Sequence, residues 1–269
     1  MQPTTEVNGA RDNWGSAARI GMFIVGGEVV PEAEWWAMAP EGGSVHAARV
    51  SARAPWAQWE PGGRSVRLAA DLERGAAQFA ALRPSAVVVG HTSSSLLGGV
   101  GWDEAVVAQL RDRFGPATHV TTNGLDCADA LRSLGVQRPF LVLPPWFGDG
   151  MLPEATAYVE RAGFAPSGVL RHVPDAKWSG LPPESLYAHF MHVEQRTDLL
   201  FDQVRAACPA TADGILIAGT GFRCVGIVAR LEATLGRPVV TANQASLWQC
   251  LRLVGVGTPV KGYGRLLEG

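Results

Sequence analysis

The 269-residue chain is 47% hydrophobic, long and apolar enough to bury a large core in one domain or two small ones, so disorder is excluded. Its 23 basic and 25 acidic side chains nearly balance, and no Lys/Arg run marks a nucleic-acid or anionic-lipid surface. The four cysteines, Cys127, Cys208, Cys224 and Cys250, stand far apart without a CxxC pair, which argues against a disulfide framework or a zinc site.

The first twenty residues are polar, and no run of about 18 apolar residues follows anywhere. No signal peptide or membrane span is expected, and the expected compartment is the cytoplasm. Short apolar runs predict strands over 20–25, 86–89, 140–143 and 214–218. Between and after them, apolar residues at helical spacing predict helices over 68–82, 103–114, 127–134, 154–162, 186–207 and 227–235, with a C-terminal helix over 248–253. Strands that are apolar throughout are covered on both faces, so the βαβα order implies mostly parallel sheets.

The halves resemble each other. AVVVGHTSSS and GILIAGTGFR each set a strand before a turn of small, hydroxyl-bearing residues. The predicted fold is therefore α/β, with two similar lobes and ligand sites at the carboxyl ends of the strands where the lobes face each other. The expected lobes are 1–122, with 247–269 packing back on it, and 123–246. The hinge is placed near 121–123 and the return crossing near 242–246.

Four segments carry a family resemblance: VGGEVVPEAEWWAMAPEGGSVHAARV, VVVGHTSSS, LRSLGVQRPFLVLPPW and ILIAGTGFRCVGIVARLEATLGRPVVTANQASLWQCLRLVG. Together they span roughly 21–256. The chain resembles the maleate cis-trans isomerase and arylmalonate decarboxylase branch of the aspartate/glutamate racemase superfamily. That resemblance implies two pseudo-symmetric Rossmann-like lobes with mostly parallel sheets, an active-site cleft between them, and no metal or organic cofactor. It also implies two facing thiols, but His91 stands at the first thiol position and Gly219 at the second. Glu28 replaces the asparagine common in the early motif, and Trp146 replaces a carboxylate-holding tyrosine.

Thiol racemisation and thiol addition need a polarisable group on each face of the substrate. With Gly219 one face has no side chain. His91, titrating near pH 6.5, can exchange a proton at working pH, and Glu28 can orient it or serve as partner base. Thr92 and Ser93, at a predicted helix start, offer hydroxyls and open backbone N–H groups to a carboxylate or carbonyl, and Thr220 and Gly221 repeat the arrangement in the other lobe. Gly27 and Gly219 complete the expected binding residues, with Trp146 as an apolar wall. His46, His119, His172, His189 and His192 lack metal-ligand spacing. Cys224 reads as a small packing residue.

The expected activity is a cofactor-independent lyase or isomerase moving a proton at the carbon next to a carboxylate or carbonyl of a small, partly apolar substrate. Its most natural form is decarboxylation, with His91 as the acid or base. The alternatives are a hydrolase in which Glu28 and His91 activate water against an amide, lactone or imide, and a binding protein without chemistry. No nucleic-acid or membrane partner is expected, and a homo-oligomer stays open.

Overall fold

A computed structural model describes residues 13–269. Most of the segment on which the absence of a signal peptide was read, 1–12, lies outside the described residues. The elements run Ala18–Val25 (β1), Val30–Met38 (α1), Gly43–Val50 (β2), Ala57–Trp59 (β3), Val66–Leu68 (β4), Ala70–Leu82 (α2), Ala86–Val89 (β5), Thr92–Leu97 (α3), Trp102–Phe114 (α4), His119–Thr122 (β6) and Asn123–Ser133 (α5). They continue with Pro139–Leu143 (β7), Met151–Arg161 (α6), Gly168–Arg171 (β8), Pro183–Leu186 (α7), Thr197–Ala207 (α8), Gly214–Ile217 (β9), Val228–Leu235 (α9), Val239–Thr241 (β10), Ala242–Leu253 (α10) and Arg265–Glu268 (α11).

Two four-stranded parallel sheets form, in the orders β2-β1-β5-β6 and β10-β9-β7-β8. Numbered within each lobe, both read 2-1-3-4, so the pseudo-symmetry extends to topology. The order reverses between β1 and β5 and again between β7 and β9. Crevices open at such reversals, beyond the carboxyl ends of the strands.

The central strands read as unbroken apolar runs because both faces are covered. One face of the first sheet packs Phe23, Val87 and Val89 against Leu72 and Phe79 of α2 and Val106 and Leu110 of α4. Its other face packs Ile20, Met22 and Val88 against Trp35 and Met38 of α1 and Leu247, Cys250 and Leu251 of α10. In the second sheet, Leu141, Leu143 and Leu216 meet Ala130 and Leu131 of α5, while Val142, Ile215 and Ile217 meet α8 and α9. The helix after each lobe's last strand thus covers the other lobe's sheet. α10 starts at a capping box, in which Thr241 Oγ1 accepts the Gln244 N–H and the Gln244 side chain accepts the Thr241 N–H. That arrangement satisfies two orphan groups at the crossing point.

Several features differ from expectation, α1, β6 and β8 among the elements not anticipated. β2 is mostly buried but carries Ser44, His46 and Arg49, so it lacks the apolar run that marks the inner strands. The antiparallel pair β3–β4 is too short to show a period. The helix expected over 186–207 forms only from Thr197. Phe190 takes the left-handed conformation at φ 60°, which an L residue in a continuing helix does not adopt, and 187–194 runs as irregular turns. Among the described residues no helix is long and apolar enough to cross a membrane, and no group of three metal-ligating side chains occurs.

Candidate active site

The loops at both strand-order reversals converge on one cleft of about 170 Å³. It is lined by Val25 at the end of β1 and Glu28 after it, His91, Thr92 and Ser93 after β5, Trp146 and Phe147 after β7, and Gly219, Thr220 and Gly221 after β9; Tyr187 closes it. Eight of the nine expected site residues meet there. Gly27 does not line it: it is solvent-exposed on the turn before Glu28, and its backbone interacts with His192.

Glu28 is only 3% exposed. Its Oε1 lies where a side chain on Gly221 would begin, with the Tyr187 ring 3.2 Å from the same point. Glycine at 221 is therefore what admits the carboxyl to the second lobe's turn. Burial dominates its ionisation and raises it to about 8, against smaller opposing effects from the Tyr187 and Thr220 hydroxyls, the Val25 backbone and Arg49. Tyr187 stands close enough to act electrostatically on the carboxyl, yet neither Glu28 Oε2 nor the Tyr187 hydroxyl makes a well-formed hydrogen bond. The Arg49 guanidinium bonds the Glu28 carbonyl oxygen at 2.6 Å and pairs with Glu32, so it does not neutralise the carboxyl.

His91 stacks on Trp56 with centroids 4.1 Å apart and planes 18° from parallel. Its Nδ1 lies 2.8 Å from Ser94 Oγ, which accepts the Trp56 backbone N–H at 3.0 Å. Ser94 is fully buried, and its hydroxyl proton has no other acceptor among the described residues. The proton therefore points to Nδ1 and leaves Nε2 as the N–H of the neutral ring. Burial holds the imidazole down to about 3. The expectation of a histidine titrating near pH 6.5 is thus replaced by a ring that stays neutral through working pH. Trp56 and Ser94 orient it; Glu28 does not.

Thr92 also differs from expectation. Asn123 Nδ2 donates to Ala242 O and Ser246 Oγ, each at 2.9 Å, which fixes the amide orientation. The Thr92 hydroxyl consequently donates to Asn123 Oδ1 at 2.6 Å, and its proton is not free for a substrate oxygen. Ser93 is half-buried with an uncommitted hydroxyl, and the N–H groups of Thr92 and Ser93 open the first turn of α3. The second lobe does not repeat that helix start. Residues 219–222 form a turn closed by Phe222 N–H to Gly219 O at 3.1 Å, and α9 begins only at Val228.

A matching pair of asparagines supports both turns. Asn123 holds Thr92, while Asn243 donates to Thr220 O at 2.8 Å and to Glu34 at 2.7 Å. Glu34 also accepts the Cys224 and Val225 N–H groups, tying α1 of one lobe to the loop after β9 of the other.

Tyr187 was not singled out in the sequence, since it falls where a helix was expected. Its ring stacks on His192 at 4.4 Å and meets Trp146 edge-on at 5.5 Å. His192 is buried behind it, whereas His189 is exposed, with Nδ1 on Ser185 O. His172 bonds Gln203, and His46 bonds Ser44. Cys224 is buried and does not line the cleft.

An arylmalonate decarboxylase family model matches residues 66–267. The chain is 28% identical over 179 residues to an arylmalonate decarboxylase of Bordetella bronchiseptica, covering 66% of this chain and 68% of that one. Two solved structures share the fold. A maleate isomerase from Pseudomonas putida S16 has a TM-score of 0.75 at 20% identity, covering 94% of this chain and 98% of its own. An arylmalonate decarboxylase variant in a sulfate-associated form has a TM-score of 0.73 at 23% identity, covering 93% and 100%. The family match over most of the chain, together with the shared two-lobe fold, makes this protein a member of the arylmalonate decarboxylase family.

Proposed function

We propose that the protein is a cytoplasmic, cofactor-independent decarboxylase of small α-substituted malonate-type acids, working by acid–base chemistry at the carbon that bears the departing carboxylate. The observation that carries this reading is the makeup of the cleft: a buried carboxyl raised to about 8 and a neutral imidazole share one small cavity between the lobes. Loss of CO2 leaves an electron pair that spreads over the retained carboxylate. Neutral hydrogen-bond donors set in advance stabilise such charge without being reorganised. His91 Nε2–H, the Ser93 hydroxyl and the open amides of Thr92 and Ser93 are the donors assigned to it. A histidine kept neutral so that it donates rather than protonates is an established device.

Among the described residues no lysine or arginine lines the cleft, so charge there is met by dipoles alone. The cavity is smaller than the roughly 300–1,000 Å³ of drug-sized sites, and Trp146, Phe147 and Val25 give it an apolar wall. A small, partly apolar acid fits both features.

The test is incubation with phenylmalonate and α-alkyl malonates, following CO2 release and the product acid. Stoichiometric CO2 and monoacid are expected. Opening of a lactone or imide by water without CO2 release, or binding of these acids without turnover, would refute the assignment in favour of a hydrolase or a binding protein.

A further inference from the structure

We propose that Glu28 delivers the proton to the substrate carbon from the second lobe's side of the cleft, and that Tyr187 positions its carboxyl for the task. The proposal rests on the decarboxylase reading above and names the proton source that reading requires. It stands on placement. Gly219 leaves that face without a side chain of its own, and among the described residues the only acidic group lining the cleft is Glu28, inserted against Gly221 from the loop after β1. Its Oε2 and the Tyr187 hydroxyl are both buried without a well-formed hydrogen bond, yet the two groups stand close enough to act on each other. Two buried polar atoms left open side by side in a cleft are expected where a ligand or a transferring proton completes them.

The groups facing the carboxyl come from four elements: Tyr187 from the segment after α7, the Thr220 hydroxyl after β9, Arg49 of β2 and His91 across the cleft. Of these only Arg49 is charged, and it is engaged by the Glu28 carbonyl and Glu32. Burial among neutral groups keeps the carboxyl protonated at neutrality. The stack on His192 and the edge contact with Trp146 fix the Tyr187 ring.

In the reaction the bond from the α-carbon to the departing carboxylate breaks and CO2 leaves. Its electron pair passes to the retained carboxylate as an enediolate. The Glu28 O–H bond then breaks and its proton forms the new C–H bond. The resulting Glu28 carboxylate is met by the Tyr187 and Thr220 hydroxyls and takes a proton back from water. The net change is one CO2 released and one proton consumed.

The experiment compares wild type, Glu28→Gln and Tyr187→Phe on phenylmalonate across pH 5 to 10. Wild-type turnover is expected to be level at low pH and to fall above about 8. Glu28→Gln should lose about 10²- to 10⁴-fold, the usual contribution of a positioned acid. Because the Tyr187 hydroxyl lowers the carboxyl's ionisation, Tyr187→Phe should move the falling limb to higher pH, which a merely structural tyrosine would not do. The carboxylic C=O infrared band lost in Glu28→Gln gives a readout free of turnover, and should titrate near 8 and shift upward in Tyr187→Phe. Wild-type turnover with Glu28→Gln within threefold of it overturns the proton-donor role and leaves the decarboxylase reading standing. A limb and band unmoved by Tyr187→Phe overturn the positioning role. No CO2 from any substituted malonate sinks the function and the proton step together, while the infrared titration still decides the pairing.

Discussion

Glu28→Gln should make the protein more stable, by an amount that depends on pH in a defined direction. Burial raises the carboxyl from 4.5 to about 8, so between those values the folded chain holds a proton that the unfolded chain has released. Folded-state proton binding exceeds unfolded-state binding across that window, and wild-type stability falls as pH rises through it. At about 1.36 kcal/mol per pH unit the full effect is on the order of 5 kcal/mol above pH 8, and close to nothing below pH 4.5. Glutamine has nearly the same shape and no ionisation. The Tm of Glu28→Gln should therefore match wild type near pH 4.5 and exceed it by on the order of 10 °C at pH 8.5, at roughly 2–4 °C per kcal/mol for a chain of this size. Thermal melts of both proteins at pH 5, 7 and 8.5 make the comparison. A Tm difference that is constant across these pH values would show that the carboxyl ionises alike in both states and would refute the argument from burial.

The His91 ring should not titrate between pH 5 and 8, because burial against Trp56 holds it down to about 3; a midpoint near 6.5 in its imidazole NMR shifts would contradict the neutral-donor role. His91→Ala should lower turnover about 10²- to 10³-fold, as for loss of one oxyanion donor, without moving the limb above pH 8. Gly219→Cys should not restore a working thiol: residue 219 sits at φ 102° and a Cβ there would lie 3.0 Å from Pro144 Cγ. A cost of about 1–3 kcal/mol is expected from that strain, read by urea unfolding. Cys224→Ser should keep turnover within about threefold, since the thiol is buried outside the cleft; a thousandfold loss with an intact fold would bring thiol chemistry back.

The inner strands were legible because two-sided burial writes itself as an unbroken apolar run, as in Ala86–Val89 and Gly214–Ile217. The turns that follow them could be placed in one cleft because like strands precede them. What stayed hidden was contact between distant segments. Trp56 reaches His91 from ahead of a hairpin of two three-residue strands, too short to have a period. Tyr187 sits among apolar residues spaced like a helix, and only the left-handed Phe190 shows that the spacing has no helix behind it. The commitment of the Thr92 hydroxyl depends on Asn123, whose partners on α10 lie more than a hundred residues later. Ionisation was misjudged for the same reason. Composition gives a side chain its usual pKa, and only packing reveals how much water it has lost.

The exchange of roofs between the lobes bears on how the chain folds and moves. α5 leaves the last strand of the first lobe to cover the second, α10 makes the reverse trip, and a buried amide, Asn123 to Ala242, joins the two at their origins. Cut between 122 and 123, the amino-terminal half would leave one face of its sheet covered by α1 alone, because Leu247, Cys250 and Leu251 arrive only with the end of the chain. Each half thus takes part of the cover of its sheet from the other, an arrangement like an internal domain swap. The two walls of the cleft are thus joined at the back by paired helices, while Tyr187 reaches the cleft from a segment of irregular turns.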